Sequence, residues 1–188
     1  SETDVKIALG RSGLSKYYDS IAPLIRWGIN VRLTETEEKS LLLGTSKFGG
    51  RPDLPSDVEW PKSANGTPME FVGQFNLEEA HKADMEEQMP DHGIVYLFFS
   101  FSNAVEDYSD PQCFKAIYVE KADGLARREY LDDVERKQPS KKMDFIEYLS
   151  LPTFDWSDLE KMGMTEAEQD AYNELSDTHF EIVMLGHI

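Results

Sequence analysis

Residues 46–68 restrict the fold more than any other part of the chain. They hold Gly49, Gly50 and Gly66 together with Pro52, Pro55, Pro61 and Pro68. Proline fixes φ and removes a backbone donor, and glycine weakens helix and strand alike, so no regular element runs through this stretch. The chain therefore commits to a long, stiffened loop that must be pinned to a core. Trp60, next to Pro61, is the natural anchor. Gly49 and Gly50 allow positive φ or close backbone approach. Gln74, among apolar residues of the strand pattern that follows, is placed to satisfy loop backbone groups from inside.

The hydrophobic period changes on either side of the loop. Residues 1–13 read as a polar lead-in. Leu14, Tyr17, Tyr18, Ile21, Leu24 and Ile25 fall at helical spacing, with Pro23 expected to kink or end that helix. Ile29, Val31 and Leu33 alternate with polar residues and predict a half-buried strand, and residues 41–43 its partner. Further strands are expected over 69–75, 94–101, 114–119, 126–131 and 145–151. The apolar run 94–101 has the pattern of a strand buried on both faces. Helices are expected over 77–88, with Asn76 and Glu79 in capping positions, and after residue 156, where Ser157–Glu160 and Thr165–Glu168 have capping-box spacing. Residues 132–144 read as a polar loop or a short exposed helix. Strands and helices mix without a βαβ rhythm, so the fold class is α+β: a mostly antiparallel sheet with flanking helices in a single domain over 14–188.

The net charge of −17 repels phosphate backbones and anionic membrane surfaces, which argues against nucleic-acid and membrane partners. The charge is concentrated. Residues 76–92 carry six carboxylates against Lys82, and residues 151–188 carry nine against Lys161. If these segments share a face, that face steers a basic protein toward it; otherwise they are solvated helix faces. Arg127, Arg128, Arg136, Lys137, Lys141 and Lys142 form a basic island, expected to pair with nearby Glu129, Asp132, Asp133 and Glu135. The one cysteine, Cys113, permits no intrachain disulfide and suits a reducing compartment; it is read as an inert core residue. No apolar run approaches the length of a membrane span, and the cytoplasm is the expected compartment.

The spaced elements Gly49-Gly50-x-Pro52, Trp60-Pro61 and Gln74-Phe75, with an aromatic-rich strand at 93–101 and a late Leu185-Gly186, resemble the hallmark of the YwqG-like family of bacterial proteins. The resemblance implies no catalytic residues. It implies a further segment beyond Leu185-Gly186, which this chain, stopping at Ile188, does not carry; exposed apolar surface is then expected around Val183, Met184 and Leu185 unless something covers it. Some members of the family occur as candidate immunity proteins of toxin systems.

No residues form a catalytic motif: there is no Gly-x-Ser-x-Gly elbow and no His-Glu-x-x-His. No cofactor and no metal is expected; His81 with Asp84 and Met85 on one helix face is a weak metal signal without a second His or Cys. Two candidate sites remain. One is a ligand cleft under the loop 49–60, using Lys47, Gly49, Gly50, Arg51, Trp60 and Gln74, where backbone N–H groups and two cations suit an anion. The other is an acidic surface of Asp155, Asp158, Glu160, Glu166, Glu168, Asp170 and Glu174, meeting Lys and Arg of a basic partner such as a toxin. The leading expectation is an acidic protein-binding protein of immunity type that occludes such a toxin. The alternative is a small-ligand binder or enzyme using the cleft.

Overall fold

The computed structural model describes residues 1–101, 111–134, 136–177 and 182–187. In chain order it contains α1 (Glu2–Arg11), α2 (Tyr18–Ile21), β1 (Arg26–Glu35), β2 (Lys47–Phe48), β3 (Asp53–Leu54), β4 (Glu70–Asn76) and α3 (Leu77–His81). These are followed by β5 (Ile94–Phe99), β6 (Phe114–Val119), β7 (Ala126–Arg127), β8 (Lys141–Ser150), α4 (Trp156–Lys161), α5 (Glu166–Ser176) and β9 (Val183–Leu185). Seven strands hydrogen-bond in the order β6-β5-β4-β2-β8-β1-β9, and β3 pairs with β7. This is the α+β class, with an antiparallel sheet and flanking helices. Contacts divide the chain into two compact units, Ser1–Val31 with Asp84–Glu86 and Ile146–Ile188, and Arg32–Ala83 with Glu87–Phe145.

The first unit corrects the reading of residues 1–13. They are helical over α1 because Val5 and Leu9, one turn apart, both enter a core with Leu14, Ile21, Leu159 and Tyr172. Asp4 accepts from the Ser1 amine at 2.7 Å, which closes the N-terminus. Residues 14–25 are not one helix. A 3-10 turn at Ser15–Tyr17, α2 and a second 3-10 turn at Ala22–Leu24 succeed one another. Pro23 lacks the N–H that a continuing helix would need. Further along, α4 is capped by Asp155, whose carboxylate accepts from Asp158 N at 2.9 Å, and not by Ser157. Thr165 and Glu168 do form the expected box at the start of α5. The apolar tail is not left bare: β9 pairs antiparallel with β1, Ile29 opposite Met184, and Val183, Met184 and Leu185 are half-buried. Pairing rather than helix burial covers it.

In the second unit β4, β5 and β6 form a continuous antiparallel ladder, with a register shift between Phe71 and Gly73. Ile94, Tyr96 and Phe98 point into a core with Leu54, Trp60, Met69 and Phe71. Val95, Leu97 and Phe99 are only half-buried, so β5 alternates rather than being sealed on both faces. Residues 41–43 are not a strand; Leu41 is buried, while Leu42 is 80% exposed. The helix expected over 77–88 ends at His81. Asn76 caps it, accepting from Glu78 N at 3.0 Å, but Glu79 does not reach back to Asn76; its carboxylate accepts from Ser46 N at 2.9 Å. Residues 126–131 are strand only over β7, and β8 begins inside the stretch read as loop. Cys113 is buried, as expected.

Candidate functional site

The Gly49-Gly50 turn is built by close approach. After β2 the chain turns with φ of 65° at Gly49 and 66° at Gly50, a left-handed conformation that side chains resist. A Cβ at Gly49 would stand 2.4 Å from Pro139 O, and one at Gly50 2.5 Å from Glu38 Oε1. Gly49 N donates to Val72 O at 2.8 Å and Gly50 N to Gln138 O at 2.9 Å, so residues 138–139 hold the turn from one side and β4 from the other.

Behind the turn lies a buried charge network. Lys47 and Asp53 have no exposed surface, and Lys47 Nζ stands 3.2 Å from Asp53 Oδ2. Arg127 Nε donates to Asp53 Oδ1 at 2.8 Å, and its Nη atoms donate to Glu38 O and Leu41 O. Gly44 N and Gln74 Nε2 also donate to Asp53 Oδ2, at 3.1 and 3.0 Å. Gln74 accepts in return from Asp53 N at 2.9 Å and donates to Thr45 O. Burial works to raise the Asp53 pKa, but the Arg127 hydrogen bond, the Lys47 charge and the Gly44 N–H outweigh it and hold the carboxylate below its ordinary value. Burial pushes Lys47 down, against the pull of Asp53. A buried pair of this kind is costly to desolvate and costlier to break, and its bonds join β3, β7 and the loop at 38–44. Tyr96 completes it by donating its hydroxyl to Asp53 O at 2.6 Å.

In front of the turn is an open cleft of about 690 Å³, walled by Glu38, Gly50, Arg51, Tyr130, Lys137 and Ser140, with Glu35, Thr36 and Glu37 at one side. The Arg51 guanidinium donates from Nε to Glu38 Oε2 at 2.7 Å and from Nη1 to Glu129, while Arg51 N donates to Glu38 Oε1. Burial again opposes these contacts, yet they leave Glu38 below its ordinary pKa. The Tyr130 hydroxyl donates to Gly50 O at 2.7 Å, and burial, with the Glu38 charge, pushes its pKa up to about 12. It therefore stays a phenol at neutral pH. Lys137 Nζ lies over the Tyr130 ring, 5.4 Å from its centre. Ser140 Oγ is buried and has no hydrogen-bond partner among the described residues.

The residues expected to share a cleft are thus divided. Gly50 and Arg51 line it. Lys47 and Gln74 belong to the buried network, and Gly49 packs against Gln138 and Pro139. Trp60 is the anchor, its indole N–H donating to Met69 O at 2.8 Å and its ring edge-on to Phe98. Asp53, Arg127, Tyr130 and Ser140 were not legible as site residues. The pairing expected for the basic island is not found among the described residues: Arg127 reaches Asp53, Lys142 pairs with Asp144, and Glu129 pairs with Arg51; Glu135 lies outside the described residues.

The acidic set divides in the same way. Asp155 is spent as a cap, and Asp158 pairs with Lys161 at 2.9 Å. Glu168 accepts from Thr165 N, Lys16 and the Tyr17 hydroxyl, which together lower its pKa to about 2. Glu160, Glu166, Asp170 and Glu174 are exposed and enter no ion pair among the described residues. His81 and Asp84 do not share a helix face, because α3 ends at His81. Among the described residues no group of His, Cys, Asp or Glu is arranged to hold a metal, and no helix is long and apolar enough to cross a membrane.

A family model described as a domain of unknown function, DUF1963, matches residues 46–187. No curated protein matches the chain.

Proposed function

Because the chain belongs to the DUF1963 family, a domain of unknown function, we propose its role from its own residues: it acts by binding, and its ligand enters the cleft beside the Gly49-Gly50 turn. The observation that carries this reading is the division of labour around the turn. Lys47, Asp53, Arg127 and Gln74 satisfy one another inside. Tyr130, Arg51 and Ser140 stand on the walls of an open cleft whose volume, about 690 Å³, suits a ligand or one segment of a partner. Lys47 and Asp53 have no exposed surface and cannot meet a substrate, so binding in the cleft fits better than chemistry does. The resemblance of Gly49, Gly50, Pro52, Trp60 and Gln74 to the YwqG-like pattern is in keeping with a loop that acts through its shape.

A second reading is favoured by the four exposed carboxylates Glu160, Glu166, Asp170 and Glu174, which lack ion pairs among the described residues. On this reading the protein is an immunity-type inhibitor in the cytoplasm that occludes a basic toxin, with these carboxylates meeting its Lys and Arg.

The test is affinity capture on the full chain and two variants, with melting curves showing that all are folded. Tyr130→Leu alters the cleft. Glu160, Glu166, Asp170 and Glu174→Lys reverses the acidic surface. A partner held by the parent and the charge-reversed chain but lost by Tyr130→Leu supports the cleft. The opposite pattern supports the acidic surface. A partner kept by both variants sinks both readings.

A further inference from the structure

We propose that the Tyr130 ring is a seat for an arginine side chain of a polypeptide partner, and that Lys137 covers this seat in the free protein. The proposal rests on the cleft reading above and names what the cleft receives.

Three features converge. The ring is held in place, because its hydroxyl donates to Gly50 O at 2.7 Å and its edge packs toward Trp60, 6.2 Å away between ring centres. Its open face already holds a cation, the exposed Lys137 ammonium at 5.4 Å, within the range at which a ring quadrupole attracts positive charge. Ser140 Oγ, in the wall of the same cleft, is nine-tenths or more buried and lacks a hydrogen-bond partner among the described residues. A buried hydroxyl in that state is a place for a donor from outside.

Gly50 brings these parts together. Its carbonyl takes the Tyr130 hydroxyl, and a Cβ at this position would stand 3.0 Å from Ser140 Cβ and 2.5 Å from Glu38 Oε1. No room is left there for a side chain, so the bare backbone of Gly50 lines the cleft between Tyr130 and Ser140.

The charges decide the class of ligand. Arg51 is engaged by Glu38 and Glu129, which removes it as an anion receptor. Among the described residues the charged groups on the walls are Glu35, Glu37 and Glu38 against Arg51 and Lys137, one more negative than positive, with Glu37 paired to Lys39. A guanidinium fits better than an ammonium. It is planar and stacks on an aromatic face, and its five N–H donors can serve the Ser140 oxygen and a carboxylate together. Lys137 sits on a flexible stem and is exposed, so it can leave the ring when a better cation arrives.

The experiment is an NMR titration of the full chain with the peptide acetyl-Gly-Gly-Arg-Gly-Gly amide, following the backbone N–H signals of Gly50 and Gln138. Methylguanidinium, the same peptide with Glu in place of Arg, and inorganic phosphate are titrated in parallel. The arginine peptide should shift both signals and bind more tightly than methylguanidinium. Lys137→Ala, which removes an exposed side chain, should tighten the peptide by about two- to fivefold, the worth of one exposed cation–π contact. Tyr130→Leu should weaken it by at least as much. An unchanged or weaker affinity in Lys137→Ala overturns the proposal. Methylguanidinium binding as tightly as the peptide overturns the polypeptide partner. Shifts caused by phosphate or the Glu peptide, and not by the Arg peptide, overturn the cationic class and leave the cleft reading standing. No shift from any of the four probes overturns both.

Discussion

Asp53 Oδ1 accepts from Arg127 Nε at 2.8 Å, a bond that joins residues 74 positions apart and ties β3 to β7. Neither partner is intelligible without the other. Asp53 is fully buried, and Arg127 is 15% exposed. The carboxylate also faces Lys47, so one anion serves two cations in the interior.

Asp53→Asn should therefore unfold the protein more readily than a typical core substitution. It leaves Lys47 and Arg127 facing each other without the anion between them, and breaking a buried pair costs roughly 3–5 kcal/mol. Urea denaturation monitored by circular dichroism reads the loss directly. A change below about 1 kcal/mol would show that the network is dispensable.

Gly49→Ala should be destabilising for a different reason. The backbone there is left-handed, and the added Cβ would meet Pro139 O at 2.4 Å, a backbone atom that cannot rotate away. Strain of about 1–3 kcal/mol or more is expected. Gly124 is also left-handed but has open space around it, so Gly124→Ala should cost less. Equal melting temperatures for the two variants would contradict this account.

Stability should fall on the acid side in a defined window. The folded-state pKa of Glu168 is lowered from 4.5 to about 2 by the Thr165 N–H, Lys16 and Tyr17. A depressed carboxylate contributes stability that is complete above its unfolded value and is lost as pH falls through the folded one. The contribution of Glu168 thus disappears between about pH 4.5 and 2. Asp53 and Glu38, also lowered, act in the same direction. Melting temperature measured against pH should drop more gently for Glu168→Gln than for the parent; parallel curves would exclude Glu168 as a contributor.

Asp155 and Asp170 belong to one acidic stretch but should respond differently to removal. Asp155 caps α4, and Asp155→Ala should lower stability measurably. Asp170 is exposed on α5, and Asp170→Ala should leave stability within about 0.5 kcal/mol of the parent. Chemical denaturation of the two variants side by side checks both.

What sequence alone determined about this protein was local. The left-handed Gly49-Gly50 turn, the Trp60 anchor, the Asn76 cap and the Thr165–Glu168 box each depend on residue type at short spacing, and each is found in the structure. The alternation of β1 and the apolar run of β5 announced strands because side chains on a strand face opposite ways. Tertiary structure decided the rest. Residues 1–13 look polar, yet Val5 and Leu9 suffice for a helix once a core exists to receive them. Lys47 looks like a ligand group because charge usually seeks water, while Gln74, read both as a ligand group and as a partner for loop backbone, takes the second part. Only the fold brings Asp53 and Arg127 beside them, so that the buried charges and amide are paired rather than bare. The cleft follows from the same cause. Its walls come from residues 35–38, 50–51, 130 and 137–140, and no spacing along the chain marks them as neighbours, because the contact is set by strand pairing and not by sequence distance.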